Sequence, residues 1–354
     1  MQNQVTMSNP SSPLFATTPV VKESVPPVVV IGLPRSGSSY LAHVLSCMEG
    51  LYVFDDLYAY QHAKSLGLQG TLATEQQKAY LNKLGWSARG KVVSRKQDYA
   101  FAPQCTWEEL HALEEAILKA FEGQSVTWPM LLEEWLTRLA LHHQCDRWGY
   151  KTPQDFMHLD ELTALFPGAK FVFVMRNPLK VMASFKNLPK PEVKGKIGDG
   201  SSSQYHPLVY ANYWKLAYQR TTAFMKRRPE VPVYIVKFET LVAHPDNEAA
   251  ELAEFLNTRV TQSVQVERPN TSFDAKKRRD VTDTEVWLCE RIAGSVMQQA
   301  GYELKKQSPR FQDIPDLIGT SFNFASYQVQ RLVSNKRARQ SVQNYLNNFL
   351  GKKK

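Results

Sequence analysis

The chain has 354 residues, 43% hydrophobic and 22% charged, which is globular composition with enough apolar material for one large domain or one domain with appendages. Its net charge of +9 suits an anionic ligand, but no stretch interleaves basic residues with aromatics along a face, which argues against nucleic acid as a partner. Cys47, Cys105, Cys145 and Cys289 form no CxxC pair, and neither a secretory signal nor a run near the roughly 20 apolar residues of a membrane span is visible, so a soluble protein of the reducing cytoplasm is expected, with no zinc site, disulfide framework or transmembrane segment.

Residues 1–25 are polar and contain Asn9-Pro10-Ser11-Ser12-Pro13, the composition of a disordered leader. After Pro26-Pro27, the β-branched run Val28-Val29-Val30-Ile31, closed by Gly32, predicts a buried strand of a parallel sheet. A glycine- and serine-rich turn follows, then Tyr40, Leu41, Val44 and Leu45 at helical spacing: strand, phosphate loop, helix. Residues 59–146 read as largely helical with a loop over 86–104, and Trp128-Pro129 opens a helix whose core face is Leu131, Leu132, Trp135, Leu136 and Leu139. Trp148-Gly149-Tyr150 predicts a short strand. A helix over about 155–166, stopped by Pro167-Gly168, leads to a core strand at 170–175. Arg176-Asn177-Pro178 runs into another helix, and residues 189–206 read as a mobile loop. A helix near 210–227, a strand at 233–236 and a helix near 245–257 follow. Strands alternating with helices imply an α/β fold of P-loop type, three layers around a mostly parallel sheet. Ligands of such sheets bind beyond the carboxyl ends of the strands, where Arg35, Lys151 and Arg176 each follow a strand.

Two motifs at that edge bear on chemistry. Gly32-Leu33-Pro34-Arg35-Ser36-Gly37-Ser38-Ser39 has the glycine spacing of a Walker A loop, whose backbone N–H groups and helix N-terminus cradle phosphate oxygens. Ser38 stands where a nucleoside triphosphatase holds its lysine, and the positive charge sits inside the loop as Arg35, whose planar fork can grip phosphate or sulfate in bidentate fashion. In the second motif Arg176 leaves a strand end and Ser184 follows two helical turns later, an arginine and a hydroxyl suited to a second phosphate. Two grips on one sheet edge suit a nucleotide phosphorylated at both its 5′ and 3′ positions. A glycine- and serine-rich turn and a surface arginine with a helix serine are the structural alternatives.

Together these residues resemble the sulfotransferases that use 3′-phosphoadenosine 5′-phosphosulfate (PAPS), with the flavour of the tyrosylprotein and bacterial branch. The resemblance continues through Gly149-Tyr-Lys-Thr-Pro153, Leu165-Phe-Pro-Gly-Ala-Lys170, Lys237-Phe-Glu-Thr-Leu-Val242 and Ala300-Gly-Tyr302, covering about 28–303. It implies that Arg35, Ser36, Gly37, Ser38 and Ser39 hold the 5′-phosphosulfate, that Lys151 meets the bridging oxygen and the sulfuryl group, and that Arg176 and Ser184 bind the 3′-phosphate. It places the general base at Asp56, with Thr271 and Ser272 near a further nucleotide contact. Asp55-Asp56 replaces a pair of glutamates and Tyr58 replaces a basic residue, so a small-molecule, lipid or carbohydrate acceptor is expected over protein tyrosine. A solvated acidic pair at 55–56, or His62 or His111 as base, are the alternatives at that position.

The expected reaction is in-line transfer of the sulfuryl group to a hydroxyl or amine, without a metal. A P-loop kinase or NTPase, and a non-catalytic nucleotide-binding scaffold, are the competing readings. The expected organisation is a leader over 1–25, a sulfotransferase domain over 26–303 and a helical extension over 304–354. In the extension Val342, Tyr345, Leu346, Phe349 and Leu350 form one stripe beside Lys336, Arg337 and Arg339. Docking on the parent domain, homodimerisation or attachment to an anionic membrane surface would each use that stripe.

Overall fold

The structure is a computed structural model that describes residues 12–20, 25–92, 99–188, 203–265 and 279–334. The chain forms two compact units, one from residues 1–176 and 220–268 and the other from 177–219 and 269–354.

The first unit is built on a parallel sheet. Its elements in chain order are β1 (Val28–Gly32), α1 (Ser38–Ser46), β2 (Leu51–Asp55), α2 (Ala59–Ser65), α3 (Thr74–Val92), α4 (Trp107–Ala120), α5 (Trp128–His142), β3 (Arg147–Lys151), α6 (Leu159–Leu165) and β4 (Lys170–Met175). Past the excursion into the second unit come β5 (Val233–Lys237), two further helices, Phe238–Ala243 and Pro245–Leu256, and the last turns of the helix Pro207–Arg227. Among the described residues the sheet has five strands in the order β2-β3-β1-β4-β5, every pair parallel. Both of its faces are covered. Val28, Val30, Val53, Val172 and Val174 pack with Leu41, Leu45, Leu252 and Leu256, while Phe54 meets Trp135 of α5 and Phe171 meets Phe224. Burial on both faces is why these strands are continuous apolar runs without alternation. The three-layer α/β architecture is therefore as the sequence pattern implies.

Several local expectations differ. Leu51-Tyr-Val-Phe-Asp55 is a strand where the sequence pattern predicts no element. The loop expected from residue 86 begins later, because α3 continues to Val92. The helix expected over 155–166 divides into a 3-10 turn, Pro153–Met157, and α6, with the non-helical His158, at φ −131° and ψ 28°, between them. Residues 12–20 depart from the disordered reading. Pro13–Phe15 forms a 3-10 turn with Leu14 buried, and Arg138, itself fully buried, donates to the carbonyls of Leu14, Ala16 and Thr18 at 3.2, 2.7 and 3.3 Å. Glu134 completes the arrangement, accepting from Arg138 Nε at 2.7 Å and from the Val20 amide at 3.0 Å. A buried guanidinium needs acceptors on every N–H, and the polar leader supplies them.

The second unit contains α7 (Pro178–Lys186), the start of α8 (Pro207–Arg227), and, after the sheet unit's α9 (Phe238–Ala243) and α10 (Pro245–Leu256), α11 (Asp283–Gln299) and α12 (Ile314–Ser334). A capping box at Thr282 and Glu285 opens α11. Glu285 also holds the Lys186 ammonium at 2.9 Å in a buried ion pair. Phe185 stacks on Tyr210 at 3.8 Å. Of the loop expected over 189–206, residues 189–202 lie outside the described residues, as do Thr271, Ser272 and the stripe at 342–350.

Candidate functional site

Four neighbouring strands bring their carboxyl ends together, and each ends on a charge or on a loop that bears one. β2 ends at Asp55, with Asp56 next; β3 ends at Lys151; the turn after β1 carries Arg35; Arg176 follows β4. The sheet order therefore sets the sequence along this edge: two carboxylates, an ammonium, then two guanidiniums.

The turn after β1 is shaped by two left-handed residues, Arg35 at φ 74° and Gly37 at φ 89°. Gly37 is the N-cap of α1, so the amides that follow it are free of helical partners and point beyond the sheet edge. A side chain at Gly37 would collide with Phe238, since its Cβ would lie 2.0 Å from ring carbon Cδ2. The Arg176 guanidinium lies over the same ring, 4.6 Å from its centroid, and donates from Nη1 to the Arg35 carbonyl at 3.2 Å. Phe238 thus sits between the turn after β1 and Arg176 and fixes their spacing. Sequence reasoning gave it no role, although it lies in the quoted run Lys237-Phe-Glu-Thr. The Arg35 pKa is lowered, first by burial and then by the charge of Arg176, with Asp56 acting in the opposite direction.

At the acidic end, Asp55 and Lys151 are register partners on β2 and β3. Lys151 Nζ lies 2.7 Å from Asp55 Oδ1, contacts Asp56 Oδ1, and donates to Ser39 Oγ at 3.3 Å. Ser39 in turn donates to Asp55 Oδ2 at 3.2 Å. Burial alone would depress the Lys151 pKa, but the two carboxylates more than reverse this and raise it, so the group is an ammonium at every physiological pH. The two aspartates are not equivalent: the Asp55 side chain is fully covered, whereas that of Asp56 is 30% exposed.

The backbone around Asp56 is held in an unusual shape. Asp56 and Tyr58 both have left-handed φ, 56° and 58°. Two bonds pin the turn to the end of β3: the Leu57 amide to the Lys151 carbonyl at 3.2 Å, and the Tyr58 amide to Thr152 Oγ1 at 2.9 Å. Non-glycine residues in this region cost of order 1–2 kcal/mol each and persist where surrounding bonds hold them. The Tyr58 phenol is pushed up to about 12, by burial first and then by Asp56.

The remaining sequence candidates have the following surroundings. His62 meets Ser87 at 3.3 Å. His111 meets the Arg89 guanidinium at 3.1 Å, where Arg89 also pairs with Glu114 at 2.9 Å. Ser184 is a buried residue of α7 in the second unit. Ser36 and Ser38 are buried in the turn and first residue of α1. A separate cavity of about 400 Å³, bounded by Glu49, Gln104, His142 and Cys145, opens at the amino ends of β2 and β3, the opposite edge of the sheet.

A family model described as the sulfotransferase family matches residues 26–262. The chain belongs to the sulfotransferase family. Among solved structures, this sulfotransferase is similar to the sulfotransferase domain from the curacin biosynthetic pathway, at 19% identity over 80% of this chain and 100% of that one, with a TM-score of 0.50. It also matches the sulfotransferase domain from the Synechococcus PCC 7002 olefin synthase, at 16% identity over 88% of this chain and 97% of that one, with a TM-score of 0.46. The first likeness is one of fold. No curated protein sequence matches this sulfotransferase. Among its described residues no group of histidines, cysteines and carboxylates could hold a metal, and no helix is long and apolar enough to cross a membrane.

Proposed function

We propose that this chain transfers the sulfuryl group of PAPS to a hydroxyl or amine acceptor, with Asp56 as general base. The observation that carries the reading is the Lys151 ammonium, held between Asp55, Asp56 and the Ser39 hydroxyl at the mouth of the phosphate loop. One cation there touches both the loop and the carboxylate that would receive the acceptor's proton.

Arg35, Ser36, Gly37, Ser38 and Ser39, with the amides opening α1, would hold the 5′-phosphosulfate. Arg176, steadied on Phe238 beside the loop, would bind the 3′-phosphate. The partnership of Arg176 with Ser184 rests on their eight-residue spacing in the sequence. As the acceptor oxygen bonds to sulfur, the bond from sulfur to the bridging phosphate oxygen breaks and adenosine 3′,5′-bisphosphate departs. Lys151 and Arg35 would offset the charge that grows on that oxygen. Asp56 would accept the acceptor's proton; its partial exposure supports this assignment over the enclosed Asp55. The acceptor is a small molecule, lipid or carbohydrate, because Tyr58 stands where a tyrosine-sulfating enzyme keeps a basic residue. The reaction is assigned to residues 26–303, in the cytoplasm, a compartment consistent with four unpaired cysteines.

An acceptor screen with sulfur-labelled PAPS tests this, reading bisphosphate release and label transfer in the presence of EDTA. Transfer that resists EDTA is expected. Hydrolysis of ATP that requires magnesium, without sulfuryl transfer, would replace this reading with that of a P-loop NTPase.

A further inference from the structure

Within the second unit α12 is docked through one side. Ser321 meets His206 at 3.1 Å, and Phe324 packs on the same imidazole with ring centroids 5.4 Å apart. Another side of the helix and the turn before it carry Phe311, Ile314, Ile318, Phe322, Val329 and Val333, separated by three, four or seven residues. That spacing keeps them on one stripe of a helix with 3.6 residues per turn. All six are exposed, from 41% for Ile314 to 91% for Phe311.

A stripe of this size requires an occupant, and the charge around it indicates which. From residue 311 to residue 354 the sequence holds Arg331, Lys336, Arg337, Arg339 and the three lysines at 352–354, against Asp313 and Asp316 at the start of the helix. Seven positive charges against two negative ones in the segment that carries this apolar stripe with phenylalanines are the composition of a helix that lies in a membrane interface. A second copy fits poorly, because pairing two such extensions would oppose two segments that each carry a net positive charge. Anionic headgroups satisfy both halves: the basic residues meet phosphate and the stripe enters the acyl boundary. Because α12 is not apolar enough to cross a bilayer, the contact is with the surface.

We propose that α12 docks this chain on an anionic lipid surface through Ile318, Phe322, Val329 and Val333, with the basic residues that follow as the electrostatic half of the contact. The proposal does not depend on the catalytic reading.

Flotation of the full chain with vesicles tests it. Vesicles of phosphatidylcholine mixed with phosphatidylglycerol should carry the protein, pure phosphatidylcholine should not, and added salt should weaken the binding. The double variant F322D/V329D should lower partitioning about a hundredfold, the effect of withdrawing two buried apolar side chains, with unchanged thermal midpoint and bisphosphate affinity. Lys336→Gln, Arg337→Gln and Arg339→Gln together should lower it about a hundredfold on mixed vesicles only, at roughly 1 kcal/mol per charge. Failure to bind mixed vesicles, equal binding to both kinds, or unchanged binding by F322D/V329D overturns the proposal. So does a dimer in light scattering that the same variant dissociates, which would assign the stripe to a second copy.

Discussion

Asp55 and Lys151 face each other across neighbouring parallel strands and form a 2.7 Å ion pair in which neither side chain is more than 2% exposed. Removing one member of such a pair strands a charge in the interior. Lys151→Met takes from the enclosed Asp55 its ammonium partner, so a loss of about 3 kcal/mol is expected. Asp55→Asn leaves the ammonium with Asp56 and Ser39 and should cost less. Chemical denaturation of both variants checks the order, and equal losses would show that the pair does not dominate this edge.

Asp56→Asn keeps the shape of the residue and removes its basicity. It should lower kcat by about 10²–10⁴, the range for a general base, with bisphosphate affinity nearly unchanged. Asp55→Asn should lower kcat much less, because Asp55 is enclosed. Steady-state kinetics on an unactivated alcohol decides between them. A full-rate Asp56→Asn enzyme would reject the assignment, with His62 and His111 next in line.

Arg176→Ala should weaken adenosine 3′,5′-bisphosphate by about 1.5–3 kcal/mol, the value of a charge-assisted hydrogen bond, and scarcely alter AMP binding. Phe238→Leu should reproduce part of that loss, since the ring carries the guanidinium. Calorimetry with both nucleotides provides the comparison. Equal losses for AMP and the bisphosphate would remove Arg176 from the 3′-phosphate.

Asp155 provides a pH signature away from the chemistry. Burial pushes its carboxyl up to about 7, against the hydrogen bonds from Gln61 and from the Tyr150 hydroxyl at 3.1 Å. The folded state therefore keeps a proton that the unfolded chain releases near pH 4. The favourable contribution is full below about pH 4 and is lost as pH rises towards 7. Asp155→Asn removes that dependence. Its unfolding free energy should exceed the parent's at pH 8, by an amount bounded at ~4 kcal/mol, with the gap narrowing at pH 5. A constant gap across pH would contradict the linkage.

The sheet edge was legible in the sequence wherever one segment specified its own shape. Val28-Val29-Val30-Ile31-Gly32 and the glycines after it announce a strand and a left-handed turn into a helix, because β-branching and left-handed turns are local properties. β2 was not legible. Leu51-Tyr-Val-Phe-Asp55 is buried on both faces, so it lacks the alternation that marks a strand, and it follows α1 closely. Its aromatic and β-branched content was the available signal. The pairing of Asp55 with Lys151 was out of reach without β2, since register between strands 96 residues apart is decided by the whole sheet. The same holds for Phe238, whose importance comes from Gly37 and Arg176 meeting on its two sides.

The strand order has a consequence for how this chain is made. β1 lies at the centre of the sheet, but its partners are β3 and β4, beginning at residues 147 and 170. During synthesis the first strand must wait for more than a hundred further residues before either neighbour exists, about 5–20 s or longer at ribosomal rates of roughly 5–20 residues per second. Over that interval Val28-Val29-Val30-Ile31 is an unpaired apolar edge, the kind of segment that chaperones bind and that aggregates when they do not. Because the central pairings are all non-local, refolding from denaturant should be slow for the chain's size and sensitive to protein concentration. The geometry that gathers the charges at one edge also leaves the first strand without its neighbours for much of the chain's synthesis.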